Sequence, residues 1–159
     1  MIDVNNAFGG DGPFSPERSG GLPSNQLVDL CFSGKLSKEE VKQMLVGHGG
    51  ILAYLGTNDF RKVCEMAAEG NDKAALVMDA SAYQVSKEIG AMSAVLKGEV
   101  DAIILTGGLA HQETHNNKIR EMVGHIAEIV IFPGEDELRS LAFNGLLALD
   151  GKIEIRNYS

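Results

Sequence analysis

The chain has 159 residues, with 22 acidic against 14 basic side chains and a formal net charge of −8. That length is one domain, residues 1–159, and buries a core without disulfides or metals. The acidic balance and lack of a basic patch exclude a nucleic-acid partner but leave room for a small phosphorylated ligand, which needs only one or two cations. The two cysteines, Cys31 and Cys64, match no metal or redox spacing and read as small core residues, which fits a cytoplasmic protein. No signal peptide, lipidation motif or membrane-length apolar run stands in the sequence, so no membrane contact is expected.

Ile2-Asp3-Val4 begins as though in mid-strand, which raises the expectation that this is the second half of something longer. Residues 1–25 hold three of the four prolines and many glycines, and beyond that short first strand little regular structure fits. Irregular segments of such length are usually functional. Arg18 lies inside it, between Pro16-Glu17 and Ser19-Gly20-Gly21; the glycines let the backbone present that side chain to a cleft, and an exposed loop arginine is the plainer alternative. Gln26 to Ser33 reads as a short helix with Leu27, Leu30 and Cys31 on one face. Ser37 and Glu40 form a capping box opening a helix that ends near Gly47. Gly49-Gly50 and Gly56 bracket an apolar piece, and Thr57-Asn58-Asp59 starts the next helix, with Asp59 as N-cap. Arg61 falls in its first turn, gains nothing from the macrodipole there, and so calls for another partner.

Asn71 to Lys97 is the longest predicted helix. Met78, Ala82, Val85, Ile89, Met92 and Leu96 make one narrow apolar seam, suited to a central packing helix or a subunit contact; Gly98 closes it. Ala102 to Leu105 is a continuous apolar run, read as a strand buried on both faces and ended by Thr106-Gly107-Gly108. The glycine pair allows a sharp turn and a close ligand, and it also serves plain chain reversal. A helix from about Glu113 to Ala127 follows. His111 and His115 are spaced i, i+4, yet no third ligand stands at a recognisable spacing. Ile129 to Phe132 is a second buried strand, closed by Pro133-Gly134-Glu135-Asp136-Glu137. These carboxylates favour the start of the helix running to Leu149, and a carboxylate at a strand's C-terminal end can also hold Mg²⁺. The tail KIEIRNYS has an edge-strand pattern. Strand-helix-strand-helix implies parallel strands with a right-handed crossover. The turns at Gly107-Gly108 and Pro133-Asp136 should then share one rim, where ligands sit in open α/β sheets.

Five motifs in order, GPFSPERSGGLP, LVDLCFSGK, GGILAYLGTND, KEIGAMSAVLKGEVDAIILTGGLA and FPGEDEL, closely resemble the butyrate kinase branch of the acetate kinase family. The resemblance covers nearly the whole chain and matches the C-terminal half of such kinases. It implies an α/β fold: the C-terminal domain of the actin-like ATPase (ribonuclease H-like) fold, a mixed sheet with flanking helices, lacking the N-terminal kinase domain. The implied reaction is reversible phosphoryl transfer from ATP to butyrate or a similar short-chain carboxylate, giving an acyl phosphate and ADP with Mg²⁺ as cofactor. Arg18 resembles the arginine that binds the phosphoryl group in flight. Asp59, Phe60 and Arg61 match the segment around the adenosine, and Gly107, Gly108 and Leu109 the glycine turn under the nucleotide. Asp136 falls where acetate kinases carry a Mg²⁺-associated glutamate, with Glu137 its neighbour; the shorter aspartate favours a contact through water. Acetate kinases carry an asparagine near the position of Gln112 and an acidic residue near His111, so this chain departs from them just after the glycine turn. The family also associates through its C-terminal domain, so a homodimer is expected. The other reading is a non-catalytic nucleotide-binding or dimerisation half without turnover of its own.

Overall fold

Two parallel strands, β1 (Ala102–Gly107) and β2 (Glu128–Pro133), pair in register from Ala102 opposite Glu128 to Gly107 opposite Pro133. They belong to a computed structural model that describes residues 2–134 and 136–155. Seven α-helices accompany the pair among the described residues: α1 (Ser24–Phe32), α2 (Lys38–Leu45), α3 (Gly50–Leu55), α4 (Phe60–Ala68), α5 (Asp72–Val95), α6 (Glu113–Val123) and α7 (Glu137–Leu149). Among those residues the sheet is this parallel pair alone, where a mixed sheet was expected.

Helix α5 organises the packing. Its first half contributes Ala74, Val77 and Met78 to a core with Phe14, Ile51, Phe60 and Val63. Near its middle Ala82 enters a second core with Ile103 of β1 and Ile119 and Val123 of α6. The apolar seam is therefore mainly internal: Met78 and Ala82 are buried, while Val85, Ile89, Met92 and Leu96 are half-buried. Complete burial of Ile51 and Val63 stabilises the fold by about 1.5–3 kcal/mol each. Lys118 of α6 pairs with Asp79 of α5 at 2.6 Å.

The segment before α1 is irregular but anchored. Ser15, Pro16 and Glu17 lie against the α2–α3 junction: Gly47 N–H donates to the Glu17 carbonyl at 2.8 Å, Ile51 N–H to Ser15 at 3.1 Å and Leu52 N–H to Pro16 at 2.9 Å. Ser19 N–H donates back to Leu45 at 2.9 Å. This is why Gly49-Gly50 is glycine. A Cβ at Gly50 would run into the carbonyl oxygens of Ser15 and Arg18, and its φ of +60° disfavours any other residue.

Several expectations need correction. Residues 2–4 form no strand; the first element is a 3-10 turn, Ala7–Gly9. Strand β1 is buried on one face only. Helices α5 and α6 cover Ile103, whereas Ile104 points the other way and is 62 % exposed, because nothing in the described residues packs there. Strand β2 is likewise half-buried rather than enclosed. Cys31 is exposed, since α1 buries no residue, and Cys64 is half-buried beside Met78. Helix α6 stops at Val123, with Gly124 as its cap, short of Ala127. Lys152–Ile155 form no strand, and residues 156–159 of the expected edge strand lie outside the described residues. No described helix is long and apolar enough to cross a membrane.

Candidate functional site

The C-terminal ends of the two strands meet as the crossover rule requires. Gly107 N–H donates to the Gly134 carbonyl at 3.3 Å, and Gly134 N–H to the Gly107 carbonyl at 3.0 Å. Gly107 has φ +85°, the left-handed region, so the chain can leave β1 abruptly into the 3-10 turn Gly108–His111. At Gly108 a Cβ would meet nothing within 4 Å, so the backbone there is open to close approach. The acidic turn sits against the same structure, with the His111 ring beside Gly134.

Facing the glycine turn is the start of α4. Asp59 caps it, accepting from the Arg61 and Lys62 amides at 3.0 and 3.3 Å. Its carboxyl is held below the usual carboxylate range, chiefly by the Lys62 amide and further by the Arg61 guanidinium. That guanidinium lies 3.5 Å from Asp59 and is largely exposed. Asp59 is thus the partner that Arg61 lacked in the helix itself. Asp59, Phe60 and Arg61 on one lip, and Gly108 and Leu109 on the other, enclose an open cleft of about 420 Å³. Pro16, Asn58, His111 and Gln112 complete its lining. No side chain caps α6 at Gln112. Glu113 in its first turn complements the positive end of the helix.

Arg18 is not among the residues lining this cleft. Its backbone is fixed beside Val46, and its guanidinium lies over the Phe8 ring, 4.3 Å from the centroid, in a cation–π contact. Pro16, two residues earlier, does line the cleft, and Glu17 accepts a hydrogen bond from Asn58. Asp136 stands at the start of α7, exposed and 3.7 Å from Arg139; Glu137 is the first residue of that helix and also exposed. Among the described residues no group of three or more His, Cys, Asp or Glu could hold a metal ion. Mg²⁺ is commonly held by one or two carboxylates together with substrate phosphates, retaining several waters, and an exposed Asp136 suits that mode rather than an all-protein cage.

The two histidines part company. His111 borders the cleft, whereas His115 is 2 % exposed and packs edge-on against Phe60, with ring centroids 4.9 Å apart. Its Nε2 lies 3.2 Å from Ser81 Oγ. Burial, with Lys118 adding, lowers its pKa to about 4, so the ring is neutral near pH 7. Asn116 is also buried and donates from Nδ2 to the Ala110 carbonyl at 2.8 Å. Sequence reasoning singled out neither as a support of the cleft. A polar pair on the inward face of α6, beside Ile119 and Val123, was the available signal.

A profile of the acetokinase family matches residues 13–140. The chain belongs to the acetokinase family. Among curated acetokinase relatives, a probable butyrate kinase of Phocaeicola vulgatus is 49 % identical over 158 residues, 99 % of this chain and 45 % of the relative. A probable butyrate kinase of Listeria monocytogenes is 57 % identical over 140 residues, 88 % of this chain and 39 % of the relative. The chain thus spans less than half the length of these relatives. Solved structures show the same fold. Acetate kinase of Porphyromonas gingivalis superposes with TM-score 0.75 at 19 % identity, over 87 % of this chain and 41 % of that one. A propionate kinase of Francisella tularensis gives TM-score 0.71 at 22 % identity, over 81 % and 39 %. The fold is accordingly that of the acetate kinases, in the actin-like ATPase class, represented by part of it.

Proposed function

We propose that this acetokinase chain supplies the nucleotide side of a two-part kinase that moves a phosphoryl group between ATP and a short-chain carboxylate. The observation that carries the reading is the cleft itself: the open backbone at Gly108-Leu109 faces the Asp59–Arg61 helix start across about 420 Å³. A nucleotide lying on the glycine turn would have Phe60 as apolar wall and Arg61 as cation. Arg18 would swing from Phe8 to the transferring phosphoryl group, whose loose, in-line transition state spreads charge over its equatorial oxygens. The bond from phosphorus to the ADP oxygen breaks as the bond to the carboxylate oxygen forms. Mg²⁺, when bound, neutralises phosphate charge, with Asp136 and Glu137 as the carboxylates that would hold it.

Butyrate is the proposed acceptor, on the strength of the relatives' names. The acyl pocket and the second wall of the closed site are assigned to an N-terminal kinase domain of the kind the longer relatives have room for. Closure of two domains is what excludes water in such transfers. The isolated chain is therefore proposed to bind nucleotide without turning over. A cytoplasmic homodimer completes the proposal, with the exposed apolar side chains of α7 as its contact.

The test is a thermal melt with and without Mg·ADP. A ligand that binds only the folded state, at about 100 times its dissociation constant, adds ~2.7 kcal/mol. The midpoint should rise, and the rise should vanish in Gly108→Val. A Cβ at Gly108 meets open space, so this variant blocks ligand approach without disturbing packing. No shift at millimolar nucleotide would defeat the reading.

A further inference from the structure

Two adjacent residues on α6 each reach a different lip of the cleft. The His115 ring abuts Phe60 at 4.9 Å between centroids and is anchored from behind by Ser81 of α5 at 3.2 Å. Asn116 Nδ2 holds the Ala110 carbonyl at 2.8 Å, inside the short turn that carries Gly108 and Leu109. Both side chains are buried, at 2 % and 3 % exposure, and neither lines the cleft.

We propose that His115 and Asn116 are positioning residues that set the separation and alignment of the two cleft lips, His115 through Phe60 and Asn116 through the Ala110 carbonyl. A 3-10 turn of four residues has weak internal hydrogen bonding and little stiffness of its own. Leu109 packs against the first core and its carbonyl accepts from the Gln112 amide at 3.0 Å; the Asn116 bond to the Ala110 carbonyl adds a buried side-chain tie at the turn's middle. Phe60, the first residue of α4, packs into the first core on one side, and the His115 ring meets its edge from α6. Because both supports spring from consecutive residues of one helix, a shift of α6 moves both lips together. Supporting side chains locked by packing and hydrogen bonds are what hold a site's walls in their productive geometry.

The nucleotide arm of this proposal rests on the function proposed above, so the experiment has two readouts. The first, amide hydrogen exchange over Gly108–Gln112, needs no nucleotide. Asn116→Asp keeps the shape, and because burial raises the pKa of the new carboxyl exchange is followed at alkaline pH, where it is ionised and no longer donates; it should speed exchange at His111 and Gln112 while the β1 amides stay protected. Asn116→Ser is the milder variant should the aspartate unfold the chain. The second readout is Mg·ADP affinity. Lips no longer held in alignment should cost about tenfold in affinity, equivalent to about 1.4 kcal/mol, in Asn116→Asp and in His115→Ala. The double variant His115→Phe with Ser81→Ala keeps a ring against Phe60 and leaves no orphaned hydroxyl, so it should restore the affinity. Val123→Ala, a cavity in the same helix's core, serves as control: it should lower the melting midpoint yet leave affinity within about twofold. Equal affinity losses in the control and in the positioning variants, or unchanged exchange across Gly108–Gln112, would overturn the proposal. If the unaltered chain binds no Mg·ADP, the nucleotide reading falls, and the exchange measurement alone decides whether these residues hold the lips.

Discussion

Gly107 and Gly134 clasp each other through two backbone hydrogen bonds, 3.3 and 3.0 Å long, one step past the end of the parallel ladder. This pair joins the glycine turn after β1 to the stretch of chain that follows β2. Gly134 has φ +95°, and a Cβ there would come within 3.3 Å of His111 Nε2.

Gly134→Ala should therefore destabilise the chain by about 1–2 kcal/mol, the cost of a left-handed backbone at a non-glycine residue. Urea denaturation followed by circular dichroism measures it. An unchanged midpoint would mean that the acidic turn relaxes independently of β1.

Asp59→Ala removes the cap of α4 and the partner of Arg61 together. The helix start should fray and the melting midpoint fall by a few degrees. Because the folded-state pKa of Asp59 is lowered, its contribution is present above the unfolded carboxylate pKa and is lost as the pH falls through the folded value. The wild-type advantage over Asp59→Ala should thus shrink in acid and persist at pH 7. Differential scanning calorimetry at the two pH values decides this.

His115 gives a second pH signature of its own. Its pKa is about 4 in the folded chain against 6.5 as the model-peptide value, so the unfolded chain takes up a proton that the folded chain refuses. Stability attributable to this ring is intact above about pH 6.5 and drains away as the pH falls toward about 4, by about 3 kcal/mol in all. His115→Phe with Ser81→Ala should lie on a flatter stability curve across that window. Parallel curves for the two proteins would show that the ring takes up its proton alike in the folded and unfolded chain, so that burial does not lower its pKa.

Helix α7 presents Leu138, Leu141, Phe143, Leu146 and Leu149 to solvent, with Leu138 85 % exposed. Contiguous apolar surface of this kind marks an interaction face. Sedimentation of the 17.0 kDa chain should report self-association that Leu141→Glu reduces. A monomer at all concentrations would refute the proposed homodimer.

The elements legible in the sequence were those fixed by neighbouring residues. The Ser37–Glu40 capping box, the Asp59 cap and the Asn71 start of the longest helix all rest on side chains within three positions of the amides they serve. The meeting of Gly107 and Gly134 was legible too, since a strand-helix-strand unit has one favoured hand. Less legible was anything needing a partner from afar. An apolar string such as Ala102–Leu105 says that burial would be favourable, not that a covering layer exists, and Ile104 lies open. His115 meets Phe60 across 55 positions and Ser81 across 34; its spacing from His111 suggested a shared face, whereas His111 borders the cleft and His115 is buried. Arg18 was picked out by its glycine setting and by resemblance, whereas its contact with Phe8 depends on a fold of the first twenty residues that no periodicity encodes.

The backbone crossing of residues 15–19 over the α2–α3 junction bears on how such sequences would respond to selection. Gly49 and Gly50 have no room for a Cβ beside Met44, Ser15 and Arg18 backbone atoms, so a library screened only for soluble protein would already reject most replacements there. The Arg18 side chain bears on none of that backbone and stacks on an exposed ring, so the same screen would let it drift. Comparing survivors of a solubility screen with survivors of a screen for catalysis in the proposed two-part kinase would then separate the scaffold under the arginine from the arginine itself.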